Sequence, residues 1–253
     1  MTILPQDHAE ATRIATLAGE LLMKVREDLV AKGVEGKEMK DEGDRQAHEL
    51  IMRELTASMP NDAILSEEGK DDHARLTAER TWIVDPLDGT REFSEPPRDD
   101  WAVHVALVIG GKAVAGAVAL PGAGLTLNTG EPLPELAPMP DVPRMLVSRT
   151  RPPAAATHVA DAIGAELVPM GSAGAKAMAV VRGLADIYAH SGGQYEWDSC
   201  APVAVAEKAG LHVSRIDGSP MVYNNEDPYM PDLLICRKEL AEAALASLAS
   251  FEG

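Results

Sequence analysis

Aromatic side chains are scarce in this chain, which has two Phe, four Tyr and three Trp among 253 residues. Its core must therefore rest on Ala, Val, Leu and Ile, which is a statement about packing and leaves function open. Cysteine is scarcer still. Cys200 and Cys236 have no CxxC spacing, which excludes a disulfide framework and a cysteine-held zinc site and reads both as small core residues. Basic residues are outnumbered, 23 against 40 acidic, for a formal net charge of −17. A nucleic-acid polymer is normally met by a basic surface that releases counterions, so binding of DNA or RNA is not expected. An anionic membrane surface is disfavoured on the same ground. A small anionic substrate stays compatible, provided cations reverse the field inside one pocket. Over most of the surface the acidity serves solubility. Residues 1–10 show no basic-then-apolar leader, and the longest apolar region, 101–120, is broken by His104, Lys112 and several glycines. No membrane span is expected, and the reading is of a soluble cytoplasmic protein.

What is present suffices for a folded chain. Hydrophobic residues make up 45% and charged residues 25%, ordinary for one large globular domain or two medium ones. Ile14, Leu17, Leu21, Leu22, Val25 and Leu29 recur at helical spacing and predict a long amphipathic helix over 7–30. Residues 32–43, charged and glycine-containing, read as a mobile loop before a second helix over 44–59. Strands are expected at 63–66, 81–84, 144–148 and 185–189, with a hairpin of 103–109 and 113–120 around Gly110-Gly111. Helices are expected at 154–163, 173–182 and 199–209, the last ending at Gly210. The proline- and acid-rich stretch 128–143 reads as a crossing between an N-terminal half, 1–142, and a C-terminal half, 143–253. Strands and helices mix without strict βαβ alternation, which argues for layered α and β structure over a doubly wound sheet.

The most informative segment is Trp82-Ile83-Val84-Asp85-Pro86-Leu87-Asp88-Gly89-Thr90. A buried strand ends abruptly in two aspartates, with Pro86 fixing one backbone angle between them. Two carboxylates and the Leu87 carbonyl are the hard oxygen donors that Mg²⁺ prefers. Gly89 permits close backbone approach, and the Gly89 and Thr90 amides suit a phosphate. The plainer reading is an Asx-type turn after a strand. Two further acidic clusters stand at Ser66-Glu67-Glu68 and Glu196-Trp197-Asp198. Glu67 and Glu68 read otherwise as solvated loop charges and Asp198 as a helix N-cap, although a cap is also a fixed place for a carboxylate.

Together these segments resemble the inositol monophosphatase superfamily over nearly the whole chain. Arg91-Glu92-Phe93, Gly171-Ser-Ala-Gly-Ala-Lys176 and the Glu196 before Trp197-Asp198 resemble its CysQ branch, the 3'(2'),5'-bisphosphate nucleotidases. The resemblance implies an α+β fold, the layered α/β/α/β/α sandwich of the sugar phosphatases. It implies two or three Mg²⁺ ions, replaceable by Mn²⁺, held by Glu67, Asp85, Asp88, Asp198 and the Leu87 carbonyl, with Asp85 bridging two of them. Thr90 and Glu67 would orient or deprotonate the attacking water, and Asp44 matches the aspartate that hydrogen-bonds this threonine. Asp44 reads alternatively as the N-cap of the second helix. Lys40-Asp41-Glu42-Gly43 departs from the usual Ser-Pro-Val-Thr of a mobile loop linked to a third, weaker metal, which puts that ion in doubt.

For the substrate, the resemblance points to Gly89, Thr90 and Asp198 with Arg91, Ser148, Arg149, Arg151, Ser172 and Lys176. A histidine is usual near Arg151 in the nucleotidases and is missing here. His104 and His190, in apolar strand contexts, read as core or structural residues. Tyr223-Asn224 and Asp227-Pro-Tyr229 receive no chemistry. The implied activity is removal of the 3'-phosphate of 3'-phosphoadenosine 5'-phosphate (PAP), or of its sulfated form, to support sulfate assimilation. Inositol-1-phosphatase and fructose-1,6-bisphosphatase are alternatives on the same fold, and a non-catalytic metabolite-binding protein is the alternative of a different class. The oligomeric state is left open by the sequence, with a homodimer one option because dimers are common among relatives.

Overall fold

The computed structural model describes residues 3–251. Two long helices, α1 (Pro5–Ala31) and α2 (Gly36–Ser58), form the first layer. They cover a five-stranded sheet of β1 (Ala63–Ser66), β2 (Thr81–Asp88), β3 (Ala102–Ile109), β4 (Lys112–Leu120) and β5 (Leu125–Asn128), ordered as in the chain. The β1–β2 pair is parallel and the others antiparallel. One helical turn, α3 (Thr90–Phe93), follows β2.

Residues 129–143 lead to a second sheet with order β7-β6-β8-β10-β9, built from β6 (Arg144–Ser148), β7 (Glu166–Met170), β8 (Ile187–Tyr195), β9 (His212–Ser214) and β10 (Tyr229–Cys236). Helices α5 (Ala173–Val181) and α6 (Glu196–Lys208) lie between the sheets, and α4 (Ala154–Ile163) and α7 (Lys238–Ala249) close the outer face.

Alternation along the strands produces this layering. On β3, Val103, Val105 and Leu107 pack against α1 and α2, whereas Ala102, Ala106 and Val108 join the middle layer with α5 and α6. A strand buried on both faces reads as the continuous apolar run seen in the sequence. On β10, Leu233 and Ile235 face the middle layer, and Leu234 and Cys236 pack with α4 and α7. The result is the α/β/α/β/α sandwich expected from the sequence. Because α6 of the second half packs on β3 and β4 of the first, the two halves share the central core. Among the described residues no helix is long and apolar enough to cross a membrane.

The stretch read as a mobile loop, 32–43, is mostly helix, because α2 already starts at Gly36. Met39, Gly43, Ala47, Ile51 and Leu55 form one buried stripe at four-residue spacing. Opposite it, Lys37 pairs with Asp41, and Arg45 with Glu42 and Glu49, which is support for a helix. Asp44 is therefore an interior helical residue and not an N-cap. Helix α6 likewise begins at Glu196, which puts Asp198 in its first turn instead of at the cap.

Candidate active site

Residues three apart on a regular strand face opposite ways, so Asp85 and Asp88 could not share a pocket without an irregularity. The structure supplies one. Pairing with β3 jumps from Asp85 opposite His104 to Asp88 opposite Ala102, so that β2 carries one extra residue there. This bulge re-aims the side chains. Leu87 packs into the outer core with Phe93, while Asp85 and Asp88 both turn to the middle layer. Pro86 brings no N–H to the ladder it interrupts. Asp198, from the first turn of α6, completes a trio whose carboxylate oxygens lie within 4.8 Å of one another.

Asp88 is the most heavily bonded of the three. It accepts from Ser172 Oγ (2.5 Å), Ala173 N (3.1 Å) and Gly174 N (2.6 Å), the last two at the start of α5. His104 Nε2 stands 3.2 Å away as an ion pair that is not aligned as a hydrogen bond. Burial alone would raise the Asp88 pKa, but His104, Ser172 and Gly174 outweigh it and bring it to about 2. His104 is wholly buried, and its Nδ1 donates to the Trp197 carbonyl at 3.0 Å. Burial opposes a charge on this ring, yet Asp88 raises its pKa above the usual histidine value. The ring needs a glycine at 174, where a Cβ would collide with it.

The remaining carboxyls are pushed the other way. Burial, then the charges of Glu67, Asp88 and Asp198, hold Asp85 well above the carboxylate range. Burial and Asp88 raise Asp198 to about 7, although Tyr195 N donates to its Oδ2 at 2.7 Å. Glu67 follows β1 and is exposed as a residue; its pKa too is raised, chiefly by burial of its carboxyl and then by the charges of Glu68 and Asp88, with Asp85 acting the other way. Asp44 is brought alongside where α2 packs at Gly43 on Phe93 and Leu87, and burial with Glu68 and Glu67 raises it to about 8. So many crowded carboxyls cannot all ionise without cations among them. An all-oxygen set of this kind fits a hard divalent ion.

The other residues singled out in the sequence are placed less uniformly. Gly89 has φ 88°, and a Cβ there would lie 2.9 Å from Ser172 Cβ, so both conformation and space call for glycine. Thr90 opens α3, half-buried; among the described residues no hydrogen bond joins it to Asp44. Ser172 has φ 48°, a strained value that its bonds to Asp88 and from Ala175 N (2.9 Å) hold in place. Lys176 is buried, its Nζ donating to the carbonyls of Gly171 (3.2 Å) and Ser172 (2.5 Å), and so props this turn from behind. Arg149 reaches from the end of β6 to Glu92 and Glu95, both at 2.9 Å. Ser148 Oγ accepts from Arg151 N at 3.4 Å, and Arg91 and Arg151 are exposed.

Sequence reasoning gave His104 only a core role and Asn224 none. Wholly buried Glu196 accepts from Asn224 N (2.7 Å), Asn225 N (2.8 Å) and Asn225 Nδ2 (2.7 Å). Buried Arg75 binds the same loop through Asn224 Oδ1 and Asn225 O and reaches Asp71, just beyond Glu67-Glu68. This network ties the Glu67 segment to the start of α6. A hint existed for His104, because a histidine inside an apolar strand must find polar partners.

The sequence model of the inositol monophosphatase family matches residues 5–132 and 143–251. The chain belongs to this family. The gap in the match, 133–142, falls in the crossing between the two sheets. Among the family's curated members, the 3'-phosphoadenosine 5'-phosphate phosphatase of Mycobacterium tuberculosis is 48% identical over 241 residues, covering 92% of this chain and 89% of that protein. The protein of the same name from Mycobacterium leprae is 47% identical, with 94% and 92% covered. The 3'(2'),5'-bisphosphate nucleotidase CysQ of Escherichia coli is 27% identical, with 87% and 95% covered. Among solved structures, CysQ from Bacteroides thetaiotaomicron superposes with a TM-score of 0.75 at 28% identity over 93% of this chain and 98% of its own. Inositol monophosphatase II of Staphylococcus aureus reaches a TM-score of 0.79 at 18% identity, with 95% and 92% covered, a likeness of fold alone.

Proposed function

We propose that this inositol monophosphatase family member is a metal-dependent phosphomonoesterase that hydrolyses the 3'-phosphate of PAP to give AMP and inorganic phosphate. The observation that carries the reading is the convergence of Asp85, Asp88 and Asp198 from two distant segments into one largely buried cluster. Relatives at 47–48% identity bearing the name of that activity supply the substrate. A non-catalytic binding protein of this fold would have no need to keep three carboxylates, two of them buried, so close together.

In this reading Asp85, Asp88, Asp198, Glu67 and the Leu87 carbonyl hold the divalent ions, two or three of Mg²⁺, with Mn²⁺ as a substitute. Such ions supply Lewis acidity at the phosphoryl group and lower the pKa of a water nucleophile. The Glu67 carboxylate and the Thr90 hydroxyl would orient that water, and Asp44, whose pKa of about 8 keeps it protonated at neutral pH in the metal-free chain, would support Thr90. The Gly89 and Thr90 amides, at the start of α3, receive the phosphate oxygens. Arg149, Arg151 and Arg91 are the cations proposed for the 5'-phosphate, of which Arg149 would have to exchange its pairing with Glu92 and Glu95 for it. The test is phosphate release from PAP, inositol-1-phosphate and fructose-1,6-bisphosphate, with Mg²⁺ and with EDTA. PAP preference lost in EDTA supports the reading, and preference for an inositol or sugar phosphate overturns the substrate assignment.

A further inference from the structure

In a chain so poor in aromatic residues, three of them gather at one exposed spot beside the carboxylate cluster. Tyr195, the last residue of β8, and Trp197 stack with ring centroids 4.9 Å apart and planes 11° from parallel. Tyr229, which pairs with Tyr195 across the sheet, stands edge-on to it at 5.8 Å and 81°. Trp197 packs partly on the central core, but Tyr195 and Tyr229 remain 41% and 43% exposed. Tyr229 is braced, since its hydroxyl accepts from Gly193 N at 3.3 Å. Nor is the group remote from the chemistry, because Tyr195 N donates to Asp198 Oδ2 at 2.7 Å.

Core packing does not explain two rigid, half-exposed rings adjoining a cluster of carboxylates. Exposed apolar side chains are ordinary when scattered, whereas a contiguous group marks a contact surface. Trp197 covers one face of Tyr195, and the part of the Tyr195 and Tyr229 surface that stays exposed is aromatic, which suits a planar, uncharged heterocycle. A base stacks on such a surface whatever its identity, since every base has a π face. An inositol or hexose ring is puckered and hydroxylated and offers no such face.

We propose that Tyr195, stacked on Trp197 and braced by Tyr229, is the platform on which the substrate's nucleobase lies, so that this aromatic group selects a nucleoside bisphosphate over a phosphate ester without a base. The assignment rests on the PAP reading of the same site. The two substrates that separate the contributions are PAP and ribose 3,5-bisphosphate, which keeps both phosphates and lacks only the base. In Tyr195→Ala, the preference for PAP over ribose 3,5-bisphosphate, measured as the ratio of kcat/KM values with Mg²⁺, falls about tenfold, mainly through KM. Tyr195→Phe keeps the wild-type ratio, and Tyr229→Ala shows a smaller fall. An unchanged ratio in Tyr195→Ala, with both substrates equally impaired or neither, overturns the platform. If the wild-type protein does not hydrolyse PAP, the function reading itself has failed, and the platform is then read by AMP binding. Trp82 and Trp101 are fully buried, so quenching of intrinsic fluorescence by AMP reports on Trp197. Quenching that Tyr195→Ala abolishes supports the platform, and its lack in the wild type overturns it.

Discussion

His104 Nε2 lies 3.2 Å from Asp88 Oδ2, with the other ring nitrogen donating to the carbonyl of Trp197, the neighbour of Asp198. One buried imidazole from β3 thus touches the β2 bulge and the start of α6. Asp88 held near 2 and the raised His104 pKa both favour the charged form of the pair. Removing one partner of a buried pair leaves the other charge uncompensated, at a cost of about 3–5 kcal/mol. His104→Ala should lose roughly that much stability in EDTA by urea unfolding, with part of it restored by Mg²⁺. A loss under about 1 kcal/mol would show that the pair is not charged.

Asp88→Asn keeps the shape of the side chain but removes its charge. Changes to groups that merely orient metal ligands cost about 10–100-fold, so a change to a ligand itself should cost more than about 100-fold in kcat. Circular dichroism should show an intact fold. Turnover left largely unchanged means that the ligand assignment is wrong.

Asp198 near 7 and Asp44 near 8 hold protons in the folded chain that an unfolded aspartate, with its ordinary value of 3.8, has already released. The unfolded state therefore binds fewer protons across this window, and metal-free stability falls as pH rises from about 4 to about 8. Metal binding displaces those protons and so strengthens with pH. Thermal melts at pH 5.5, 7 and 8.5 should show the midpoint in EDTA falling and the gain from Mg²⁺ growing. A gain independent of pH contradicts proton displacement from these carboxyls.

Glu196 accepts three hydrogen bonds from Asn224 and Asn225, and truncation would take the buried acceptor from both backbone amides, while the exposed Asn225 side chain keeps its bond to the Val222 carbonyl. Glu196→Ala should cost about 1–3 kcal/mol, the cost of leaving part-buried donors without their partner. Through Asp198, two residues on, it should also weaken Mg²⁺ binding about tenfold. Calorimetric titration checks the second effect. Lost stability with undiminished Mg²⁺ affinity confines Glu196 to the loop.

The Asp-Pro-Leu-Asp-Gly-Thr segment announced itself because its residue types are chemically specific at short range. What the sequence could not yield was the convergence. Asp198 lies on another element, and the matching orientation of Asp85 and Asp88 depends on a bulge that no spacing rule foretells. Four strands were not expected from the sequence; β5 and β9 are only four and three residues long, and the other two share a cause. β7 contains Pro169, and β10 contains Pro231, residues that argue against a strand in the sequence. In the structure β7 is a sheet edge, and Pro231 lies at the register shift between Met230 and Asp232, the two places where a strand tolerates proline. Helix α7 went unread because Leu240, Ala244 and Leu248 make a thin apolar stripe in an alanine-rich segment. The start of α2 was hidden because its exposed side carries nearly all the charge.

The extra residue in β2 acts as a phase shift. Before it, odd-numbered positions face the inner layer. After it, Leu87 anchors the outer core and Asp88 faces inward. One short peptide thereby serves two layers with opposite chemistry. Between Asp85 and Asp88 the constrained quantity is thus chain length as much as residue identity: many substitutions at Pro86 could leave the geometry standing, but an insertion or deletion of a single residue would turn an intact carboxylate into hydrocarbon.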